Sequence, residues 1–305
     1  MKIRSNMAYP WRKISVNSRA RRIGHGICGS NRQPRSFALT FWLPIRRPMQ
    51  PLTVVIPIYN EEACLDGLLT EVCQVVGCDP AQVEILVIDD GSSDRTPDML
   101  QAWRKKCPAL RVLTFAANAG QSAAMAAGFR SASFDHVVAM DGDGQSDPAD
   151  IPALASRLDT FGVVCGYRAT RRDTLSKRWG SRLANATRRA VTGDEIIDIG
   201  CSLKGFHRGP LQHIPYFEGA HRFLPVLLAM QGCSIAQVPV HHRPRSAGVS
   251  KYSNWGRLRR TWKDLLGVRW LQSRALNYRV SHDSLLDAAL PDSEAAPQRE
   301  VSAAD

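Results

Sequence analysis

The chain has 305 residues, is 44% hydrophobic and carries a formal net charge of +12, which allows one large domain or two small ones with a sizeable core. Its eight cysteines include no C-x-x-C pair, which argues against a zinc ribbon or a disulfide framework and favours a reducing cytoplasm. No stretch reaches the ~20 apolar residues that a membrane span requires, so we expect none.

The positive charge is concentrated outside the middle of the chain. Residues 1–48 hold eleven Lys and Arg, no acid and no sustained periodicity, so we expect a disordered leader, a transit-type peptide or a stretch upstream of a true start at Met49. Residues 241–280 are basic, while the part between is slightly acidic. Basic segments favour an acidic partner, either phospholipid or nucleic acid. Because the middle of the chain is acidic, nucleic-acid binding is the weaker hypothesis.

From residue 53 onward, strand and helix patterns alternate. Continuous apolar strands separated by amphipathic helices predict a mostly parallel sheet with helices on both faces. Ligands of such sheets bind beyond the carboxyl ends of the strands. The predicted strands are 53–58, 83–88, 110–115 and 136–140, and the predicted helices are 61–76, 96–106, 121–131 and 149–158.

The strand at 136–140 runs directly into three residues with side-chain oxygens, Asp141, Asp143 and Gln145. Alternate residues of extended chain point to the same side, so these three side chains can project together. Such a cluster suits Mg²⁺ or Mn²⁺, which bind carboxylates, waters and phosphate oxygens. A polar turn after a strand is the alternative.

Two other predicted strands also end in polar residues. The first ends in Pro57, Tyr59 and Glu61, and the second ends in Asp89. An Asp just past a strand can accept hydrogen bonds from a base or a ribose hydroxyl. Further along, Asp94 and Thr96 are expected to cap the next helix, since these residue types lead at that position. The helix at 121–131 consists of small residues, which allow close approach to the sheet or to a ligand.

Together these pieces resemble the catalytic domain of glycosyltransferase family 2, which has the nucleotide-binding GT-A fold. Among its branches, the polyprenyl-phosphate enzymes similar to dolichol-phosphate-mannose synthase are the most alike, and the resemblance runs from about Leu52 to Arg279. It implies that a D-x-D-x-Q motif, Asp141, Asp143 and Gln145, binds the metal. It also implies that the nucleotide is surrounded by Pro57, Tyr59, Glu61, Asp89 and Asp141.

The second half of the chain carries the resemblance to the branch. The segment 163–168 is similar to a family strand ending in G-x-R, here Arg168, and is followed by a basic stretch. In relatives this Arg, with an Arg and a Ser four residues apart, holds the lipid phosphate, which implies Arg168, Ser181 and either Lys177 or Arg178. Lys177 stands at the family's Arg position but lacks a bidentate fork. A solvated basic helix face is the alternative.

Two later motifs also match the branch. The segment 198–206 resembles D-x-x-C/S-G-F-R, with Ser202 and Lys204 at the usual glycine and arginine positions. The segment 245–251 matches R-x-x-G-x-S-K, a loop that closes on the diphosphate in relatives. The resemblance therefore implies that Arg245 and Lys251 act with Asp143 as catalytic residues, because a departing diphosphate needs cationic stabilisation.

Tryptophans and leucines recur at helical spacing among basic residues between Ser253 and Leu276. This pattern predicts an amphipathic helix in a membrane interface, and packing on the domain's own core is the alternative. The expected organisation is a leader (1–48), a catalytic domain (49–250), an interface helix (251–280) and an acidic, disordered tail (281–305).

The resemblance implies metal-dependent, inverting transfer of a sugar from a nucleotide sugar to an undecaprenyl or dolichyl phosphate. We expect a peripheral protein at the cytoplasmic face of the membrane, whose partners are the donor, the lipid phosphate, the membrane surface and a small membrane protein, with no nucleic acid. The alternative is a family 2 enzyme that acts on a polysaccharide or other hydroxyl. Such an enzyme would need a carboxylate beside its acceptor.

Overall fold

The computed structural model describes residues 49–169, 185–244 and 254–276, with side chains from 262 onward in the last range. Several sequence predictions lie outside these residues: the leader, the tail, and the predicted site residues Lys177, Arg178, Ser181, Arg245 and Lys251.

Strands and helices alternate through most of the described chain. The strands are β1 (Leu52–Ile58), β2 (Val83–Asp89), β3 (Leu110–Thr114), β4 (His136–Ala139), β5 (Val163–Arg168), β6 (Lys204–His207) and β7 (Ile235–Val240). The helices are α1 (Glu62–Val76), α2 (Thr96–Lys106), α3 (Gln121–Ser131), α4 (Ile151–Leu158), α5 (185–192), α6 (Arg208–Leu211), α7 (Leu224–Met230) and α8 (Asn254–Arg274). Short 3₁₀ turns cover Pro148–Asp150 and Ala220–Arg222.

The seven strands form one sheet in the order β3-β2-β1-β4-β6-β5-β7. Each neighbouring pair is parallel except those that involve β6, which runs antiparallel to both β4 and β5. The predicted α/β fold with a mostly parallel sheet is confirmed. Because β4 and β5 are parallel to β1, their carboxyl ends lie at the same edge of the sheet as the ends of β1 and β2.

Alternate residues of the central strands enter two hydrophobic cores, one on each face of the sheet. Val54 and Ile56 of β1 pack with α1 and α4, whereas Val55 packs with α3 and α7 on the other face. Every residue of β1 and β2 is buried, which explains their mostly apolar sequences. Two polar residues inside them, Thr53 and Glu84, hydrogen-bond to each other at 2.9 Å.

Helix α3 packs closely against the sheet, because it has a glycine, Gly128, where it passes over β1 and β2. A Cβ on Gly128 would lie 2.5 Å from Val55 and 2.7 Å from Ile88, so any larger residue would push the helix outward. The small residues of this helix therefore allow close packing, as one of the two sequence interpretations held.

Helix α8 has both a core-facing side and an exposed apolar side. Leu265 and Val268 are buried in the core on the α3 face of the sheet. Trp262, Leu266 and Trp270 are 47%, 50% and 61% exposed. Packing on the domain thus accounts for one side of the helix only. Among the described helices, none combines the length and the apolar composition needed to cross a membrane.

Candidate active site

The loops after β1 and β2 are joined side by side at the carboxyl edge of the sheet. Asn60 adopts a left-handed backbone (φ 53°), which Asn tolerates better than most residues. Its backbone N–H donates to Ser92 Oγ (2.9 Å), and its side-chain oxygen accepts from the Ser93 N–H (2.8 Å). These bonds join the two loops into one rim, residues 59–62 and 89–94, which carries residues predicted to surround the nucleotide.

Asp94 stabilises the helix starts on both sides of this rim. Its carboxylate accepts from the Thr96 N–H at 2.9 Å and from the Glu62 N–H at 3.2 Å. Burial opposes ionisation of Asp94, but hydrogen bonds from the Thr96 side chain and from these backbone donors outweigh it and lower the pKa of Asp94. Asp94 therefore satisfies the first N–H of α2, as expected, and also that of α1. Thr96, expected to cap the same helix, is instead its first residue, and its hydroxyl accepts from the Glu61 N–H at 3.2 Å.

Asp89 is fully buried at the end of β2. One carboxylate oxygen accepts from the Ser92 N–H at 3.0 Å. The other oxygen, Oδ2, is buried without a hydrogen-bond partner among the described residues. An unpaired buried acceptor is costly, and such atoms are concentrated where a ligand or ion completes the site.

The neighbouring Asp90 fixes the start of α3. Its carboxylate accepts from Asn118 Nδ2 (2.9 Å) and from the N–H groups of Ala119 (2.7 Å) and Gly120 (2.9 Å). The next residue, Gln121, donates its side-chain N–H to Asp141 Oδ1 at 2.7 Å. Asp90 thus positions a residue that orients Asp141. Sequence reasoning missed both Asp90 and Gln121, although the Asp-Asp pair at a strand end was visible.

Asp141, Asp143 and Gln145 lie together after β4, all half-buried. Asp143 Oδ1 accepts from the Gln145 N–H at 3.1 Å. Burial, followed by the neighbouring Asp143 charge, raises the pKa of Asp141 to about 6, against the opposing effects of Lys204, Ser202 and Arg168. Two oxygen-rich carboxyls that repel each other in this way can hold a hard cation.

Gly142 allows this loop to reach the end of β1. A Cβ at this position would lie 2.8 Å from Ile58 Cγ1 and 2.9 Å from the Pro57 carbonyl oxygen. The thiol of Cys64 lies 3.4 Å from the Gly142 carbonyl oxygen and 3.3 Å from Glu61 Oε2. Pro57 and Glu61 are therefore close to the loop that carries the aspartates.

Arg168, at the end of β5, forms a bidentate ion pair with Asp198. Its Nε lies 2.7 Å from Oδ2 and its Nη2 lies 2.9 Å from Oδ1. The two side chains are only 17% and 8% exposed. The segment after α5 therefore orients the guanidinium, a pairing that the sequence does not reveal.

A cavity of about 340 Å³ adjoins the aspartates. Its described walls combine apolar, polar and charged residues: Gln121, Met125, Asp141, Ile199, Gly200, Cys201, Ser202, Lys204, His221 and Arg222. Lys204 is buried and donates to the carbonyl oxygens of Ile199 and Cys201. One carboxylate, Asp141, is present among the described lining residues.

His221 is a lining residue that sequence reasoning did not identify. Its Nδ1 lies 2.7 Å from Ser122 Oγ, which also accepts from the Gly219 N–H at 2.9 Å. Burial, followed by the charges of Arg222 and Lys204, lowers its pKa to about 3. The ring is therefore neutral at physiological pH.

The structure brings together the described members of the predicted site. Pro57, Glu61, Asp89, the three D-x-D-x-Q residues and Arg168 lie at the carboxyl edge of the sheet, at or just after the ends of β1, β2, β4 and β5, and Tyr59 belongs to the same loop as Glu61. Outside this group, His241 donates its backbone N–H to Asp150 Oδ2 at 2.6 Å, and its ring Nδ1 pairs with Asp150 Oδ1 at 2.9 Å.

A mostly parallel α/β sheet with carboxylates and a buried unpaired acceptor beyond the carboxyl ends of its strands has its candidate ligand site where such sheets bind their ligands. Residues 53–214 match the sequence model described as "Glycosyl transferase family 2", and the chain belongs to this family. The family predicted from the motifs is therefore confirmed.

Two similar relatives have the same name, undecaprenyl-phosphate 4-deoxy-4-formamido-L-arabinose transferase. The one from Pseudomonas paraeruginosa is 37% identical over 212 residues, which cover 68% of this chain and 61% of that protein. The one from Salmonella paratyphi B is 34% identical over 211 residues, covering 68% and 64%. The match thus spans less than two thirds of each relative. Their name places them in the polyprenyl-phosphate branch that the motifs resemble.

Solved structures share the fold. A mannosyltransferase from Pyrobaculum calidifontis, in complex with GDP-Man and Mn²⁺, superposes with a TM-score of 0.53 at 21% identity, covering 75% of this chain and 66% of that one. Glucosyl-3-phosphoglycerate synthase from Mycobacterium tuberculosis, with Mn²⁺, UDP and glucosyl-3-phosphoglycerate, gives 0.53 at 21% identity, covering 74% and 80%. These likenesses confirm the predicted GT-A fold.

Proposed function

We propose that this protein transfers a sugar from a nucleotide-sugar donor to a polyprenyl phosphate, with inversion at the anomeric carbon. One observation carries the proposal: Asp141, whose carboxylate interacts with that of Asp143, lines a cavity whose described walls include the cations Lys204 and Arg222. The carboxylates suit the metal-bound diphosphate of a donor, and the cationic walls suit an anionic acceptor.

The donor's nucleoside would lie at the ends of β1 and β2. Pro57, Tyr59 and Glu61 supply one side of this site, and Asp89 supplies the other. The buried and unpaired Asp89 Oδ2 supports this assignment, because a nucleoside N–H or O–H would satisfy it after a small adjustment. The hydrogen bonds between the Asn60 and Ser92 loops keep the rim in place before the donor binds.

Asp141, Asp143 and Gln145 would hold Mg²⁺ or Mn²⁺, since their oxygens are the ligands that these ions prefer. The raised pKa of Asp141 supports this fit, because it reflects burial and a nearby carboxylate that a bound cation would compensate. When bound, the ion supplies Lewis-acid stabilisation of the leaving diphosphate. Gln121 orients Asp141, and the resemblance assigns Arg245 and Lys251 to the same diphosphate.

The acceptor site favours a phosphate over a hydroxyl. A phosphate is already ionised at neutral pH and needs no general base, whereas a hydroxyl does. Asp141, the one carboxylate among the described lining residues, is assigned to the metal. Arg168, held in place by Asp198, would bind the acceptor phosphate. The resemblance adds Ser181 and either Lys177 or Arg178.

The acceptor's lipid implies a membrane surface, and α8 offers a way to reach it. The side chains of Trp262 and Trp270 are largely exposed on this helix, together with Leu266. Tryptophan favours the headgroup region, and neighbouring basic residues favour an anionic leaflet. We assign the protein to the cytoplasmic face as a peripheral protein, assisted by a small membrane protein.

A transfer assay with matched acceptors tests the proposal. The purified chain is incubated with a panel of labelled nucleotide sugars and Mn²⁺, with either undecaprenyl phosphate or undecaprenol in the same detergent. We expect a lipid-linked product from the phosphate alone, abolished by a chelator. Equal transfer to undecaprenol would favour a hydroxyl acceptor. Failure of every donor with the phosphate would contradict the proposal.

A further inference from the structure

Three side chains of types that can ligate metals lie together at the amino end of β4, on the side of the sheet away from the candidate active site. His136 begins β4 and His207 ends β6, and the two residues pair directly across these antiparallel strands. Their rings are 5.1 Å apart and nearly perpendicular (78°). With the adjacent Asp135, each residue offers one ligand atom, and the three atoms lie within 4.8 Å of one another.

The hydrogen bonds of His207 leave one ring nitrogen directed at this cluster. Its Nε2 lies 2.9 Å from the Leu158 carbonyl oxygen, which can only accept, so the proton resides on Nε2. Its Nδ1 lies 2.6 Å from Asp135 Oδ2. The Nε2–H bond to a backbone carbonyl fixes the ring as in metal-ligating histidines and leaves Nδ1 as the candidate ligand atom. Without an ion, the 2.6 Å contact of Nδ1 with the carboxylate requires a second proton, on Nδ1, which a bound cation would replace.

His136 is 8% exposed, and its Nδ1 is buried without a hydrogen-bond partner among the described residues. A histidine that served packing alone would ordinarily have this nitrogen satisfied. The cluster also borders a cavity of about 610 Å³, which is lined by Asp135, His136 and His207 among others. The cavity therefore leaves room beside the cluster for water and an ion.

We propose that Asp135, His136 and His207 form a second metal site, selective for a borderline dication such as Zn²⁺, with water from the cavity as the remaining ligand. Two imidazoles and a carboxylate are a known zinc donor set, whereas the oxygen donors at Asp141 and Asp143 suit Mg²⁺ or Mn²⁺. The two sites would therefore take different ions. Nothing in the sugar-transfer proposal requires this second site.

The geometry needs only a small adjustment to accept the ion. Two ligands at ~2.0–2.1 Å from a tetrahedral Zn²⁺ lie about 3.3 Å apart, so the contact between His207 Nδ1 and Asp135 Oδ2 must open slightly. The Asp135 side chain is 66% exposed and can rotate. Its backbone is fixed, because its carbonyl oxygen accepts from the Arg208 N–H at 2.8 Å. A bound ion would link β4, β6 and the end of α4.

Titration with Zn²⁺ and Co²⁺ tests the proposal on the tag-free full chain, in reducing buffer with excess Mg²⁺. We expect one Zn²⁺ per chain, a higher melting temperature and a cobalt spectrum without sulfur charge transfer. Asp135→Ala and His207→Gln should each weaken Zn²⁺ binding by more than about a hundredfold, beyond the effect of losing an outer partner. His213→Gln, at an exposed histidine, is the matched control and should change nothing.

Two results would overturn the proposal. One is the absence of stoichiometric Zn²⁺ binding by the intact chain. The other is binding that both cluster variants retain, accompanied by sulfur-to-cobalt charge transfer. That spectrum would place the ion instead at Cys73, Cys78 and Cys107, whose thiols also lie within 4.8 Å of one another. Because Asp135 is exposed, its variant remains informative even if His207→Gln fails to fold.

Discussion

Replacing Asp90 by Asn should destabilise the protein and weaken its activity, although the two side chains have nearly the same shape. Asp90 is 3% exposed and accepts three N–H groups from residues 118–120. An Asn can keep the two bonds made by Oδ2 but must turn its amide N–H₂ toward the Ala119 N–H. The change therefore removes one charge-assisted bond and makes the other two neutral.

The expected loss of stability follows from these bonds. A hydrogen bond to a charged group contributes about 1.5–3 kcal/mol, and a neutral one about 1 kcal/mol. At the lower end of these ranges, losing one bond and weakening two gives about 2.5 kcal/mol in total, which corresponds to a fall in melting temperature of about 5–10 °C for a domain of this size. Turnover should fall as well, because Gln121, which orients Asp141, follows this segment.

Urea and thermal unfolding of the wild type and the variant measure this effect. Asp98→Asn provides the control, since it makes the same chemical change at an exposed position in the first turn of α2. The control should shift stability by less than about 0.5 kcal/mol. If Asp90→Asn behaves like the control, the Asp90 carboxylate does not hold the start of α3. It then does not position Gln121 beside Asp141 either.

Three further predictions concern the cavity, the leader and α8. In the folded protein the pKa of His221 is about 3, below its ordinary 6.5. As the pH falls, His221 is therefore protonated in the unfolded chain before it is protonated in the folded one, so about 2 kcal/mol of stability is lost between pH 7 and pH 5. His221→Gln should remove that loss from urea unfolding, and an unchanged pH dependence would contradict it. A chain that starts at Met49 should keep its fold and turnover, so an insoluble or inactive product would refute this. Changing Trp262 and Trp270 to Ser should weaken flotation with anionic liposomes, as should high salt, whereas unaffected binding would place the membrane contact elsewhere.

Local sequence patterns were sufficient to predict the fold and the strand-end motifs. The apolar runs of β1, β2 and β4 predict buried strands, because each is continuous and is followed by polar residues. Asp141 and Asp143 follow β4 directly, so their placement at the carboxyl edge needs only the direction of one strand. The same holds for Asp89 after β2.

Features that depend on long-range packing could not be predicted. β6 has four residues, and its antiparallel position between β4 and β5 reflects pairing across distant parts of the chain. The sequence also cannot tell which aspartate of the Asp89-Asp90 pair faces α3. In α8, tertiary contacts decide that Leu265 is buried while Trp270 is exposed.

The same limit applies to side-chain clusters. The cysteines are scattered in the sequence, yet packing of α1 against α2 brings the sulfur atoms of Cys73 and Cys107 to within 3.7 Å of each other. The ion pair of Arg168 with Asp198 and the pairing of His136 with His207 likewise join residues that are far apart in the chain. Such contacts follow from the complete fold, and no local pattern indicates them.

Binding of nucleoside diphosphates by isothermal titration, with Mn²⁺ or with a chelator, tests the central claim most directly. We predict that the wild type binds one of UDP or GDP only with the cation. Asp143→Ala should lose at least about a hundredfold in affinity at an unchanged melting temperature, since Asp143 is assigned as a ligand of the ion that would bind the diphosphate. Asp98→Ala should bind like the wild type. Equal binding in chelator, or full affinity in Asp143→Ala, would contradict a metal-dependent donor site at this edge of the sheet.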